Sequence, residues 1–427
     1  MRIMMMTNTY LPHVGGVARS VAAYTGALRA RGHEVLVVAP QFDGAPADEE
    51  MVLRISAIQK FNGSDFSVVV SSDGFLQDRV EEFRPDIIHS HHPFLLGGAA
   101  QRLAAINDIP LVFTHHTLYE QYTHYVPGDS QFMKRFVAAL STEYANLAQL
   151  VIGPSESIHD LLIERGVTTE VRVLPTGVDE AFFKAGHGAA FRKVMGIPAD
   201  AFVVGHVGRL APEKNLEFLS TAVARFLQHN EDALFLVVGT GPAKQAIETI
   251  CRRFKVADRL VMAGAFAQPL LSSAYRAMDV FAFASRTETQ GMVLTEAMAT
   301  RTPVVAVDAS GVREVLQDGV NGLMLPQQSR RGFIKALQHF HDLTPAQRNR
   351  YRRAALRTAR AVSLENCTEQ LEGFYRQLLA DNCGAAIENP DAWESIMKKL
   401  GAEWNMLSNL ANAAGKALTG GSGREAA

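Results

Sequence analysis

A chain of 427 residues, 47% of them hydrophobic, is long enough for two to three domains with sizeable cores. A formal net charge of −2 excludes bulk basicity toward nucleic acid. Its three cysteines, Cys251, Cys367 and Cys383, lack C-x-x-C spacing, which argues against a disulfide framework or zinc ribbon and for a reducing compartment.

Arg2 to Met6 reads as a first strand, because the chain reaches polar Thr7 and Asn8 too soon for a signal-peptide core. No run approaches the ~18 apolar residues that span a bilayer, so the expected location is cytoplasmic, with any membrane contact peripheral. Pro12 and the pair Gly15-Gly16 then lead into a helix through Val21, Leu28 and Ala30 that ends at Gly32, followed by a strand Val35 to Ala39. The glycine pair suits close backbone approach to a phosphate or sugar, and equally a plain tight turn.

The alternation continues with strand Phe66 to Val70, a helix near Phe75 to Phe83, strand Asp86 to His89, helix Leu95 to Ile106 and strand Pro110 to Thr114, which predicts a parallel sheet covered on both faces. His89, His91, His92, His115 and His116 cluster after two of these strands, where doubly wound sheets bind ligands. A metal site would want acids at ligand spacing nearby, and none is there; core or cleft histidines bonding backbone are the plainer alternative. Thr117 to Pro127 is a tyrosine-rich run that reads as an acceptor lining. A helix Gln131 to Leu147 would put Phe132, Phe136, Val137, Leu140 and Leu147 on one side, expected to face the core, with membrane contact as the alternative. Strand Leu150 to Gly153, helix Ser157 to Arg165 capped by Ser155 or Ser157, strand Val171 to Leu174 and the exit Pro175-Thr176-Gly177 complete the first half.

The polar stretch Lys184 to Pro198 is expected to hold the hinge of the chain, after which the pattern restarts at Phe202 to Val207. Gly208-Arg209 ends that strand and Ala211 to Asn215 begins a helix, so Arg209 and Lys214 overhang the strand ends. Two cations at a helix start oppose its dipole unless an anion sits between them, which favours a polyphosphate ligand. Strand Leu234 to Val238 leads into Gly239-Thr240-Gly241-Pro242, which lacks the third glycine and the later acid of a dinucleotide fingerprint, so no redox cofactor is expected. After strand Arg259 to Ala263 comes the apolar strand Asp279 to Ala284. It runs into Ser285 to Glu296, where Gly291 sits at a strand-to-helix turn suited to phosphate and Glu288 and Glu296 suit hydroxyl groups. Strand Pro303 to Val307 and a hairpin-like turn Gly319 to Gly322 before Leu323 to Leu325 follow.

From Gln328 to Arg360 two helices carry Arg330, Arg331, Lys335, Arg348, Arg350, Arg352, Arg353, Arg357 and Arg360 against Asp342 alone, either a solvated face or an approach to anionic lipid. A helix Glu365 to Leu379 precedes a terminal amphipathic segment with Trp393 and Trp404, suited to a membrane interface or to docking.

Gly15-Gly16, Gly208-Arg209 with Lys214, Gly239-Thr240-Gly241 and Glu288-x7-Glu296 with Gly291 together resemble the retaining nucleotide-sugar glycosyltransferases of family 4, over about Met1 to Leu379. The resemblance implies an α/β GT-B fold, two Rossmann-like parallel-sheet domains facing across a cleft, with the donor held mainly by the second. It divides the chain into residues 1–180 (acceptor-side domain), 181–360 (nucleotide-sugar-binding domain), 361–380 (a helix crossing back to the first domain) and 381–427 (an extension with an amphipathic helix and flexible tail). It also implies roles. Arg209 and Lys214 match the pair that neutralises the donor diphosphate, and Gly291, Met292 and Val293 the backbone that cradles it. Glu288 matches the acid at the donor sugar and Glu296 the acid that holds the ribose. His116 matches a histidine near the reacting sugar, Gly16 after Gly15 the loop that closes over the phosphates, and Phe266 the place where backbone meets the base.

Thr287-Glu288-Thr289-Gln290-Gly291, His115 to Tyr125 and Pro175-Thr176-Gly177-Val178-Asp179 look more narrowly like bacterial diacylglycerol glycosyltransferases. That likeness implies hexose transfer, glucose from UDP-glucose, to a membrane glycerolipid, with no cofactor and no metal. The family resemblance implies front-face attack, with Arg209, Lys214, Glu288 and His116 as the catalytic set. Another acceptor (a polyprenyl or inositol lipid, a polysaccharide, a small molecule), a binding protein without turnover, and a phosphorylase or epimerase on the same fold are the alternatives.

Overall fold

The computed structural model describes residues 1–13, 15–46, 49–58, 68–69, 73–121, 130–285 and 288–382. Tyr122 and Tyr125 of the tyrosine-rich run, Arg286 and Thr287, most of the strand expected from Phe66, Cys383 and the segment with Trp393 and Trp404 lie outside them.

The chain forms two compact units, one made of Met1–Leu174 with the chain from Thr368, the other of Pro175–Cys367. The first is a seven-stranded sheet of β1 (Arg2–Met6), β2 (Glu34–Pro40), β3 (Val52–Ile55), β6 (Ile87–Ser90), β7 (Leu111–Thr114), β8 (Leu150–Gly153) and β9 (Val171–Val173), in the order β3-β2-β1-β6-β7-β8-β9 and parallel throughout. A separate antiparallel pair joins β4 (Ala57–Ile58) to β5 (Val68–Val69). The helices of this unit are α1 (Gly16–Ala30), α2 (Asp73–Phe83), α3 (Leu96–Asn107), α4 (Gln131–Ala145) and α5 (Glu156–Glu164). Ser155 caps α5, its side chain accepting from the Ile158 amide.

The second unit holds β10 (Phe202–Val207), β11 (Ala233–Val238), β12 (Leu260–Gly264), β13 (Val280–Phe283), β14 (Val304–Val307) and β15 (Gly322–Leu325), in the order β12-β11-β10-β13-β14-β15 and again parallel. Its helices are α6 (Glu180–Lys184), α7 (Gly188–Val194), α8 (Leu216–His229), α9 (Lys244–Arg253), α10 (Leu270–Arg276), α11 (Met292–Ala299), α12 (Ser310–Arg313), α13 (Arg330–Asp342) and α14 (Pro345–Ala361). A last helix, α15 (Leu364–Asn382), starts in this unit and continues into the first.

Strand residues alternate between two cores because a strand's side chains have period two. Val203, Phe281, Phe283 and Val304 face one side with Ala297 of α11 and Ala355 of α14. Val204, Val280, Ala282 and Val305 face the other with Leu219 of α8 and Phe333 of α13. Burial on both faces explains why these strands are continuously apolar in sequence.

Four readings need correction. The stretch Lys184 to Pro198 does not divide the two units, which part at Leu174–Pro175; α7 lies within it, and Phe183 and Phe191 insert into the second unit's core. Gly319 to Gly322 makes no hairpin, since it leads from α12 to β15, which runs parallel to β14. In α4 the expected stripe is buried only in part: Leu140 is buried, with Met133 and Tyr144 among its buried neighbours, whereas Phe132 is 70% exposed. The basic run is not opposed by Asp342 alone: Asp279, at the start of β13, pairs with Arg192 at 2.8 Å, Arg352 at 3.1 Å and Arg348 at 3.5 Å, so two of these arginines anchor α14 to the sheet.

Candidate active site

In each sheet the strand order reverses at one place, between β1 and β6 and between β10 and β13, and loops leaving the carboxyl ends there diverge to leave a crevice. Most of the expected site residues of the second unit, and Gly15 and Gly16 of the first, follow strands at these two points.

In the second unit, β10 gives way to Gly208-Arg209 and a single 3-10 turn, Pro212–Lys214, rather than directly to a helix. Arg209 donates to Glu213 at 2.6 Å and Lys214 donates to the Glu288 carboxylate. The anion that two cations at this turn demanded is thus met in part by protein carboxylates. The Lys214 and Glu288 side chains are 19% and 17% exposed, the Arg209 side chain 44%. Gly239 lies so close to the first loop that a Cβ on it would come within 1.9 Å of the Gly208 carbonyl oxygen, which accounts for glycine in that turn.

After β13 the chain turns at Gly291, in the left-handed region with φ 72°, and enters α11. Gly291 packs on Gly311, whose amide donates to the Glu288 carbonyl at 3.0 Å. No side chain caps α11 and no acid occupies its first turn, so the amides at Met292 and Val293 and the positive end of the helix suit an anion. Gln290 donates to the Thr176 carbonyl at 2.7 Å and accepts from its amide at 2.8 Å, clamping this loop to the start of the unit. Glu296 is 6% exposed and its carboxylate accepts from the Tyr275 hydroxyl at 2.6 Å. Phe266, beyond β12, is half-buried edge-on against Phe191 at 5.5 Å.

In the first unit, Gly15 is the N-cap of α1 with no side-chain cap, and open space surrounds the Cβ position of Gly16. The histidines in and after β6 and after β7 bond one another and nearby hydroxyls: His89, within β6, bridges Tyr375 at 2.6 Å and Thr114 at 2.7 Å, and His91 Nδ1 and His116 Nε2 are hydrogen-bonded at 3.0 Å. Burial pushes the His89 and His92 rings down to about 3 and His115 to about 4, and pushes His91 and His116 well below the ordinary histidine value. Neutral rings at a strand end can donate or accept a hydrogen bond without adding charge. Among the described residues no three His, Cys, Asp or Glu side chains converge to hold a metal ion.

The structure therefore joins Arg209, Lys214, Glu288, Gly291, Met292, Val293 and Glu296 to one strand-end region of the second unit, leaves Phe266 after the edge strand β12, two strands from β10, and places Gly15, Gly16 and His116 at strand ends of the first. Three contributors went unassigned in the sequence. His206, within β10, is 1% exposed, bonds the Ala282 carbonyl at 3.1 Å and is held near 4 by burial; a histidine in an otherwise apolar strand was its only signal. Tyr275 and Gln290 act through Glu296 and Thr176, contacts between segments that no local pattern encodes.

Residues 14–182 match the family model described as Glycosyltransferase Family 4, and residues 201–342 the one described as Glycosyl transferases group 1. The chain belongs to glycosyltransferase family 4. This family 4 chain is 28% identical over 80% of its length to an alpha-monoglucosyldiacylglycerol synthase of Acholeplasma laidlawii, 88% of which is covered. It is 29% identical over 89% of its length to a GDP-mannose-dependent alpha-mannosyltransferase of Mycolicibacterium smegmatis, 98% of which is covered. The solved structure of Anabaena HepE in complex with UDP-glucose superposes with a TM-score of 0.69 at 19% identity, covering 88% of this chain and 99% of that one. Its two Rossmann-like units place the family 4 chain in the GT-B fold class.

Proposed function

We propose that this glycosyltransferase moves a hexose, glucose from UDP-glucose, to a membrane glycerolipid such as diacylglycerol, with retention at the anomeric carbon. The observation that carries the donor half is the convergence of Lys214, Glu288 and the uncapped start of α11 at the switch point of the second sheet. On this reading a diphosphate lies at the α11 amides with Arg209 and Lys214 beside it, and its own charge displaces Glu288 from Lys214 toward the sugar hydroxyls. Departure of the nucleoside diphosphate needs its developing charge stabilised more than it needs a protein nucleophile, and two cations with a helix terminus supply that. Front-face attack, with the leaving phosphate accepting the acceptor's proton, then gives retention. Glu296 holds the ribose and neutral His116 orients the acceptor side. HepE's complex with UDP-glucose supports the donor class, and the Acholeplasma relative's name supports both glucose and diacylglycerol.

The Mycolicibacterium relative favours a second donor, GDP-mannose. One experiment separates the readings: the enzyme is incubated with labelled UDP-glucose or GDP-mannose and diacylglycerol vesicles, and the product is extracted and its linkage determined. An α-glucosyl lipid from UDP-glucose is the expected result. Turnover with GDP-mannose only, a β-linkage, or label confined to water-soluble glycosides would overturn it.

A further inference from the structure

The acid assigned to the ribose is held by a second side chain. Glu296 is the fifth residue of α11, and its Oε2 accepts from the hydroxyl of Tyr275, on α10, at 2.6 Å. Tyr275 is fully buried. Its ring meets Phe183 edge-on at 6.1 Å and Phe281 at 5.8 Å, and its carbonyl accepts from the Thr302 hydroxyl at 3.1 Å. Ring and backbone are thus both fixed. A buried phenol needs an acceptor, and this separation is typical of an O–H donor on an ionised carboxylate.

We propose that Tyr275 is a positioning residue for nucleotide recognition: its hydroxyl holds the Glu296 carboxylate in the rotamer that accepts from the ribose diol of a nucleoside diphosphate. The proposal rests on the assignment of Glu296 to the ribose. A glutamate side chain has three rotatable bonds and loses much of their freedom when it is ordered by a ligand. If the phenol has already ordered it, binding no longer bears that loss. A carboxylate has about four acceptor sites, so it can accept from a phenol and from a diol together. On this proposal Tyr275 acts through Glu296, so it governs preference for ribose and not the chemistry at the sugar.

The test measures binding of UDP and GDP, each against its 2′,3′-dideoxy counterpart, to the full chain by calorimetry. The wild type is expected to prefer the ribonucleotide. Tyr275→Phe is expected to cut that preference by about tenfold, the usual effect of one hydrogen bond to a charged group, while dideoxy binding stays unchanged. Glu296→Ala is expected to abolish the preference, and adding Tyr275→Phe to it should change nothing further. Full ribose preference in Tyr275→Phe, with none in Glu296→Ala, would overturn the positioning role and leave the ribose assignment standing. Preference retained in Glu296→Ala, or no binding of either nucleotide to the wild type, would overturn the ribose assignment and the proposal together. Equal weakening of ribo and dideoxy ligands by Tyr275→Phe would show a structural role only. Should Tyr275→Phe fail to fold, Glu296→Asp, one methylene too short to meet phenol and ribose together, takes its place, and undiminished ribose preference there overturns the proposal.

Discussion

Lys214, on the turn after β10, donates to the carboxylate of Glu288, on the loop after β13, so residues 74 positions apart meet where the second sheet reverses its strand order. The pair holds the ligand-free site near charge balance. On the proposed reading a diphosphate competes with Glu288 for Lys214, and Glu288 then turns to the sugar.

Removing one electrostatic stabiliser of a leaving group lowers turnover by about 10²-fold or more, the effect expected for Lys214→Ala and Arg209→Ala. Glu288→Ala should be as severe in kcat. Glu288→Gln removes the competitor for Lys214 while keeping the shape, so it should bind UDP several-fold more tightly than wild type although it turns over slowly. Steady-state kinetics and calorimetry check both, and near-wild-type turnover by Glu288→Ala would contradict the site.

On the proposed reading, charge at the donor is met by Arg209, Lys214 and the start of α11 and not by an acid pair holding an ion. Treatment with a chelator should therefore leave activity largely intact. Loss of activity that a divalent metal restores would return attention to the histidines.

The buried histidines make stability depend on pH in a defined direction. Unfolded imidazoles titrate near 6.5, whereas burial holds His89 and His92 at about 3 and His115 at about 4 in the fold. The folded state then binds fewer protons below pH 6.5. The stability due to these neutral rings is complete above that value and is lost as pH falls, toward 4 for His115 and toward 3 for His89 and His92, with a slope of up to about 1.4 kcal/mol per pH unit for each ring. Thermal midpoints should be level above pH 7 and fall steadily between pH 6 and 4.

Asp279 gathers Arg192, Arg348 and Arg352 and also accepts from the Val203 amide at 3.0 Å. Its side chain is 10% exposed, so Asp279→Ala strands guanidinium groups in a half-buried setting. The expected cost is about 3 kcal/mol, read as a lowered urea midpoint. Loosening of α7 and α14 from the sheet should be visible as faster amide exchange in both.

The fold was legible because both sheets are parallel and covered on two faces: strands such as Phe202 to Val207 are continuously apolar, and helices fill the intervals. The candidate site stood out in the sequence at a strand-to-helix turn that takes a left-handed residue, Gly291, and at charges beside strand ends, Lys214 and Glu288. What stayed hidden depends on tertiary pairing. Nothing near Asp279 marks it as the partner of Arg348 and Arg352, about seventy residues on, and nothing near Tyr275 marks its bond to Glu296. In α4 the periodicity was visible, but of the expected stripe Leu140 is buried and Phe132 is exposed. Phe132 and Phe136 match the helical period as well as Met133, Leu140 and Tyr144 do, and only packing against the sheet selects between the stripes.

That outward stripe gives the acceptor reading a physical handle. Phe132 is 70% exposed and stacks on Phe136 with ring centroids 6.4 Å apart, and exposed Arg135 lies on the same helix, a combination suited to a lipid surface. No helix among the described residues is long and apolar enough to cross a membrane, so contact of this kind would be interfacial. Burying a phenylalanine side chain contributes about 1.5–3 kcal/mol, so Phe132→Ser should weaken binding to vesicles by roughly tenfold or more while leaving the thermal midpoint unchanged, the side chain being already in water. Arg135→Ala should weaken it chiefly on vesicles rich in anionic lipid, and that component should fade as salt rises, because exposed charges are screened beyond about 8 Å at physiological ionic strength. Sedimentation with vesicles of zwitterionic and of anionic composition reads both effects. Undiminished sedimentation of the Phe132→Ser protein would remove α4 from the acceptor side of the argument and leave the donor site untouched.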